Sequence, residues 1–222
     1  MEANNFIEIG GKKALLEIDS YGKRVAILIT GVGGKALIDP RYSVLSKELV
    51  KNDISFLRID IWKDYKELEK LSISEILIII QNAVDFLIKS GFEEIFLIGK
   101  SFGGGLSLIY NSNKIKKSVL WAPAISFDKI SNVEEFRDKK LMEIKNVTDL
   151  KINKEKLEEN KIPKLIIHGT KDEVISLENS KKIVNSSKNA SLIMIENADH
   201  AYSKEEWLNE VVLYKVRFLA KH

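Results

Sequence analysis

No cysteine occurs among the 222 residues. Disulfides, thiol nucleophiles and thiolate metal sites are thereby excluded. Histidine is nearly as scarce, with three in the chain, so any imidazole chemistry falls to His168, His200 or the terminal His222. Purely aliphatic runs stop at about five residues, far short of the roughly 20 needed to cross a bilayer. Met1–Asn5 has no basic stretch leading into an apolar one. No secretory signal is visible, and the expected location is the cytoplasm. Charge of one sign is missing too: 35 basic residues face 32 acidic ones, for a net charge of +3. Lysine pairs such as Lys116-Lys117 and Lys181-Lys182 are scattered and read as solvated surface. Basic and aromatic residues do not interleave, so nucleic acid is not an expected partner.

What is present is a globular composition, 45% hydrophobic and 30% charged, in a length that suits one domain with a sizeable core. Strand and helix patterns alternate. A hairpin is expected from Phe6–Ile9 and Ala14–Ile18, turning at Gly10-Gly11. Short apolar, β-branched runs follow at Val25–Thr30, Ile54–Ile61, Ile95–Ile98, Ser118–Trp121, Leu165–Ile167 and Leu192–Ile195. Such runs suit parallel strands covered on both faces, which points to an α/β fold. Ser72-Ile73-Ser74-Glu75 is a capping box that opens a helix to about Lys89, closed by Gly91. Ser203-Lys204-Glu205-Glu206 opens another, through Leu219, with Val211, Tyr214 and Phe218 as its core stripe. About forty residues separate Pro123 from Pro163, more than a plain crossover needs. They hold a third box, Ser131-Asn132-Val133-Glu134, and a charged helical pattern from Asn153 to Glu159. The segment at about 124–162 is expected to form a short helical lid on a single domain, 1–222.

The chemistry centres on Phe96-Leu97-Ile98-Gly99-Lys100-Ser101-Phe102-Gly103-Gly104-Gly105. A buried strand runs here into a Gly-x-Ser-x-Gly turn and a glycine-rich helix start. Such an elbow lifts the Ser101 hydroxyl clear of the sheet. Gly99 and Gly103 allow two backbones to pass without a Cβ between them. A serine hydroxyl needs a base to take its proton, and the base needs an acid to fix its tautomer. His200 sits in a loop, Asn197-Ala198-Asp199-His200-Ala201, between the last strand and the last helix, and is the expected base. Asp172 follows the strand Leu165–Ile167 and is the expected acid. Glu173 is the neighbouring alternative, and Asp199 is read as an anchor for the loop.

The order Ser101, Asp172, His200, each just after a strand, resembles the α/β-hydrolase superfamily, and the likeness spans nearly the whole chain. It implies a mostly parallel, doubly wound sheet and an oxyanion hole made by the backbone N–H groups of Val32, in the turn Thr30-Gly31-Val32-Gly33-Gly34, and Phe102. It implies an acyl-enzyme hydrolase of carboxylic esters, or of thioesters or amides, with a small-molecule substrate and no cofactor. Compact esterases and dienelactone-hydrolase-like members are the most similar. Two positions depart from the pattern: Thr30 stands where many members have histidine, and Asp60-Ile61-Trp62-Lys63-Asp64-Tyr65 keeps only the aspartate of an Asp-x-Arg-Gly-x-Gly turn. Trp62 and Trp121, near strand ends, are candidates for the substrate pocket or for plain core. A binding protein without catalysis, or a peptidase-like member, is the alternative.

Other motifs fit less well. Gly99-Lys100-Ser101 ends like a phosphate-binding loop, but Glu94 stands where that motif needs glycine. Gly31-Val32-Gly33-Gly34-Lys35-Ala36 matches a dinucleotide fingerprint, yet Ile38-Asp39-Pro40 interrupts the helix it should open. Only His168 and His200 could serve a metal, so none is expected.

Overall fold

The computed structural model describes residues 6–19, 21–127 and 144–221. The third capping box, at Ser131–Glu134, lies outside them. Strands β1 (Phe6–Ile9) and β2 (Lys12–Glu17) form the N-terminal hairpin. Then come β3 (Arg24–Ile29), β4 (Ser55–Ile59), β5 (Glu94–Lys100), β6 (Ile115–Trp121), β7 (Lys164–Gly169) and β8 (Ala190–Ile195). They make one eight-stranded sheet in the order β1-β2-β4-β3-β5-β6-β7-β8. The first two strands run antiparallel and the rest pair in parallel. This is the α/β-hydrolase fold.

Parallel strands carry helices on both faces, and β3 shows the consequence. Val25, Ile27 and Ile29 pack in one core layer while Ala26 and Leu28 pack in the other, because successive side chains point to opposite faces. The first layer is covered by α3 (Ile73–Lys89), α4 (Phe102–Ile109) and α7 (Leu177–Ser186). The second is covered by α1 (Pro40–Val50) and α8 (Glu205–Ala220). Short helices α2 (Tyr65–Leu68), α5 (Lys145–Thr148) and α6 (Lys154–Glu159) complete the described elements. The Ser72–Glu75 capping box forms as expected: Ser72 Oγ accepts from Glu75 N and Glu75 Oε2 accepts from Ser72 N.

Two elements differ from the sequence reading and one agrees with it. No helix opens at the Gly31–Ala36 turn, which Asp39-Pro40 interrupts, and α1 starts at Pro40 instead. Asp39 caps α1 by accepting from Arg41 N, and Pro40 takes the first helical position, where its missing N–H costs nothing. The Ser203 box does not form, because Asp199 competes for Ser203, accepting from its backbone N–H and its hydroxyl, and α8 begins at Glu205. The buried stripe of α8 is Val211, Val212, Lys215, Val216 and Leu219, with Tyr214 and Phe218 only half-buried.

β3 and β5 are direct neighbours although β4 lies between them in sequence. The chain therefore reverses its winding there, and the crevice at the carboxyl ends of these two strands is where an open α/β sheet binds ligands. The described end of the long β6–β7 connection is tied down nearby. Asn146 Nδ2 donates to the carbonyls of Leu68 and Leu71 at 2.8 and 2.6 Å, and Val147, Leu150 and Leu157 are buried.

Candidate active site

Ser101 stands at the carboxyl end of β5 with φ 53° and ψ −116°. A left-handed φ on a serine is strained and survives only where the surroundings enforce it. The enforcement is visible. Ser101 N donates to Trp121 O on β6 at 2.9 Å, while Ser101 O accepts from Gly104 N and Ala124 N at 2.9 and 3.1 Å. Beneath the elbow α4 is pressed against the sheet. A Cβ on Gly103 would lie 2.2 Å from Ile29 O, and one on Gly99 would lie 2.4 Å from Gly103 O. Only glycine leaves both backbones room, so the two glycines fix the depth at which the serine sits. The Ser101 side chain caps nothing in α4.

The turn after β3 crosses directly over the elbow. A Cβ on Gly31 would lie 3.4 Å from Ser101 Cβ, and Trp62 Nε1 donates to Gly31 O at 3.1 Å, bracing the turn from the β4 side. Val32 follows at the crevice, half-buried. Phe102 is the first residue of α4, whose opening N–H groups have no partner within the helix. Among the described residues, the N–H groups of Val32 and Phe102 find no protein acceptor. Phe102 follows Ser101 directly in the chain, and Val32 follows Gly31, where an added Cβ would lie 3.4 Å from Ser101 Cβ.

Asp172 and His200 come from the turns after β7 and β8. Lys171 N donates to Ala198 O at 3.0 Å, which stitches the two turns together. His200 Nδ1 is 2.8 Å from Asp172 Oδ2. Since an ionised carboxylate only accepts, Nδ1 carries the proton there and Nε2 holds the free lone pair. Asp172 Oδ1 accepts from Val174 N and Ile175 N at 2.9 and 2.7 Å. Burial alone would raise the Asp172 pKa, but donors from His168 and His200 outweigh it and hold the carboxyl well below the usual carboxylate range. Glu173 Oε2 takes the His200 backbone N–H at 3.2 Å rather than the ring. Asp199 anchors the loop through Ser203. Among the described residues no hydrogen bond joins Ser101 Oγ to His200; in resting hydrolases this contact is often long and tightens when substrate binds.

A second support comes from α1. Arg41 is held by Asp39 through Nε at 2.9 Å, and its Nη1 donates to Ala201 O at 2.7 Å, next to His200. Lys100, the residue before the serine, is buried, and its Nζ lies 4.6 Å from the centre of the Trp121 ring. Burial, with the Arg41 charge adding to it, pushes the Lys100 amine down to about 7 against the pull of Asp39, Asp172 and Asp199. Lys215 Nζ lies 3.1 Å from the same ring, with no hydrogen-bond partner among the described residues.

Both tryptophans are fully buried core residues, in opposite layers. Trp62 packs on Phe102 in the α3–α4 layer, ring centres 5.8 Å apart. Trp121 is fully buried in the opposite layer, among Tyr42, Tyr202 and the two lysines, and is core rather than pocket wall. His168 was unassigned in the sequence, and the structure brings it to Asp172. The available signal was the four-residue spacing from His168 to Asp172 across one turn. Lys215 was signalled only by a lysine standing within an apolar helical stripe. Among the described residues no cluster of His, Asp and Glu could hold a metal ion, and no helix is long and apolar enough to cross a membrane.

Comparison with known proteins agrees with this architecture. The Uncharacterised protein family (UPF0227) matches residues 54–215. No curated protein is similar enough in sequence to count as a relative. Among solved structures, Est1E from Butyrivibrio proteoclasticus with ferulic acid bound is 21% identical, covering 97% of this chain and 99% of that one, with a TM-score of 0.77. An esterase from Exiguobacterium antarcticum is 16% identical over 97% and 99% of the two chains, TM-score 0.75. A dienelactone hydrolase from Anabaena variabilis is 17% identical over 96% and 93%, TM-score 0.72.

Proposed function

We propose that this chain, which belongs to the Uncharacterised protein family (UPF0227) within the α/β-hydrolase superfamily, is a serine hydrolase of carboxylic esters with small or medium acyl groups. The observation that carries the reading is the strained Ser101 elbow, held under the Gly31–Val32 turn at the edge where His200 meets Asp172. Strain of this kind is retained where a side chain must be presented. The esterases among the structural neighbours support it, and the ferulic acid bound to Est1E is a carboxylic acid, the class of molecule this reaction would release.

In this mechanism Ser101 Oγ attacks the ester carbonyl while His200 Nε2 takes its proton. The carbonyl oxygen becomes an oxyanion, received by the N–H groups of Val32 and Phe102, each worth about 3–4 kcal/mol of barrier. Asp172 keeps the proton on Nδ1 and stabilises the imidazolium. His200 then protonates the departing alkoxide, leaving an acyl-serine and an alcohol. Water, deprotonated by His200, attacks the acyl group, and the carboxylic acid leaves as Ser101 regains its proton. Much of the segment expected as a lid, 128–143, lies outside the described residues; its described end is tied down by Asn146. Trp62 stands behind the oxyanion turn and sets its position.

Two measurements test it. p-Nitrophenyl esters of increasing acyl length should be turned over with an optimum at short to medium chains, and a fluorophosphonate probe should label Ser101. A folded protein that hydrolyses no ester and takes no probe would overturn the reading. The rate should also fall in acid, because a protonated imidazole cannot accept the Ser101 proton. A rate unchanged down to pH 4 would remove His200 as base.

A further inference from the structure

Asp172 serves two imidazoles. His168, at the end of β7, is fully buried, and its Nε2 lies 3.2 Å from Asp172 Oδ2 and 2.8 Å from Ile175 O. A carbonyl oxygen only accepts, so Nε2 carries a proton. Nδ1, 2.6 Å from Ser180 Oγ on α7, then accepts from that hydroxyl in the neutral ring. Ser180 is also fully buried. Ile175 closes the arrangement: its N–H donates to Asp172 Oδ1 while its carbonyl accepts from His168. The same carboxylate oxygen that meets His168 meets His200 Nδ1 at 2.8 Å.

We infer that His168 is a positioning residue for the catalytic acid: its Nε2–H shares Asp172 Oδ2 with His200 and so sets how much of the carboxylate charge reaches the base. The inference rests on the hydrolase reading for its catalytic meaning, although the contact itself does not. Ser180, His168, Asp172 and His200 form one buried chain from α7 to the crevice, with only the last ring part-exposed. A carboxylate that already accepts from His168 is less basic, and holds an imidazolium at His200 less tightly, than one that serves a single ring. Other charges around His200 are Glu173 from the β7 turn, Asp199 from its own loop, Arg41 and Asp39 from α1, and Lys100 from the elbow. The ring contacts of Asp172 Oδ2 are those with His168 and His200.

The test is a pH titration of the histidine rings by two-bond nitrogen–proton NMR correlation on the full chain, which needs no substrate. In the wild type, His168 should show the Nε2–H tautomer. In His168→Phe the His200 midpoint should move up by about half a pH unit or more. In His168→Gln, whose amide N–H reaches the place of Nε2, it should return to the wild-type value. If the phenylalanine variant does not fold, His168→Asn, which can still meet Ser180 but is too short for Asp172, should give the same upward shift. A wild-type ring protonated on Nδ1 alone, or an unmoved His200 midpoint in the folded variants, would overturn the inference, since a merely structural role changes melting without changing this midpoint. Should the wild type take neither ester nor fluorophosphonate and still show the coupling, the hydrolase reading falls and the His168 contact stands.

Discussion

Ser101→Ala should lower ester turnover by about 10⁴–10⁶-fold and leave the fold unchanged. The size follows from what is lost. In the proposed mechanism no acyl-enzyme forms without Oγ, and only the proposed Val32 and Phe102 donors would remain to help water attack directly, retaining about 10³–10⁴-fold over solution. The fold survives because the hydroxyl caps nothing in α4, so its removal strands no partner. Alanine bears the same φ of 53° that serine does. Glycine would not: Ser101→Gly should be equally inactive yet about 1 kcal/mol more stable, since glycine reaches that φ without strain. Turnover by the purified variants, with circular dichroism and melting curves beside it, checks both claims. A Ser101→Ala protein retaining a tenth of the rate would end the acyl-enzyme mechanism. A Ser101→Gly protein that melts lower would show that the elbow is held by the side chain and not by the backbone.

Parts of this site could be read from the sequence because strands covered on both faces are continuous apolar runs, and each run ends where its turn begins. That put Ser101, Asp172 and His200 at strand ends without any knowledge of strand order. Neither the runs nor the turns could give the order itself. The adjacency of β3 and β5, which brings the Gly31–Val32 turn over Ser101, is long-range pairing, and only the resemblance to a known family pointed to it. A local signal misled where two of them competed. Ser203 was a good cap by spacing, but Asp199 four residues earlier claimed it. The tryptophans illustrate a different limit. An aromatic residue at a strand end is equally compatible with a pocket and with core, and only the face it points to decides. For Trp121 that face holds Tyr42, Tyr202, Lys100 and Lys215. Nothing in a lysine's immediate neighbours announces that its amine will lie over a buried indole.

Those lysines lead to the second large effect: between about pH 7 and pH 10 the fold should become more stable as pH rises. The Lys100 pKa is pushed down by burial to about 7, that of Lys164 to about 8, and that of Lys215 well below the ordinary 10.5 by burial and by the charges of Lys100 and Arg41. In that window the unfolded chain binds protons that the folded chain has released, so raising the pH removes an advantage of the unfolded state. Above about 10 the sign reverses, because burial holds the Tyr42 and Tyr202 hydroxyls above their ordinary range and the unfolded tyrosines ionise first. At the acid end Asp172, held low, contributes stability that is lost as protonation reaches it. Lys215→Met isolates the largest part. The methionine keeps the stem and drops an amine with no hydrogen-bond partner among the described residues, so urea unfolding should show a gain of about 1–4 kcal/mol at pH 7. The gain should shrink towards pH 10, where the unfolded-state lysine loses its proton too. A loss at pH 7 would mean that the Trp121 face, 3.1 Å from Nζ, holds the amine charged and favourably. Trp121 O is also the acceptor for Ser101 N. A stabilised Lys215→Met protein with slowed turnover would therefore tie the cost of the buried amine to the posture of the elbow.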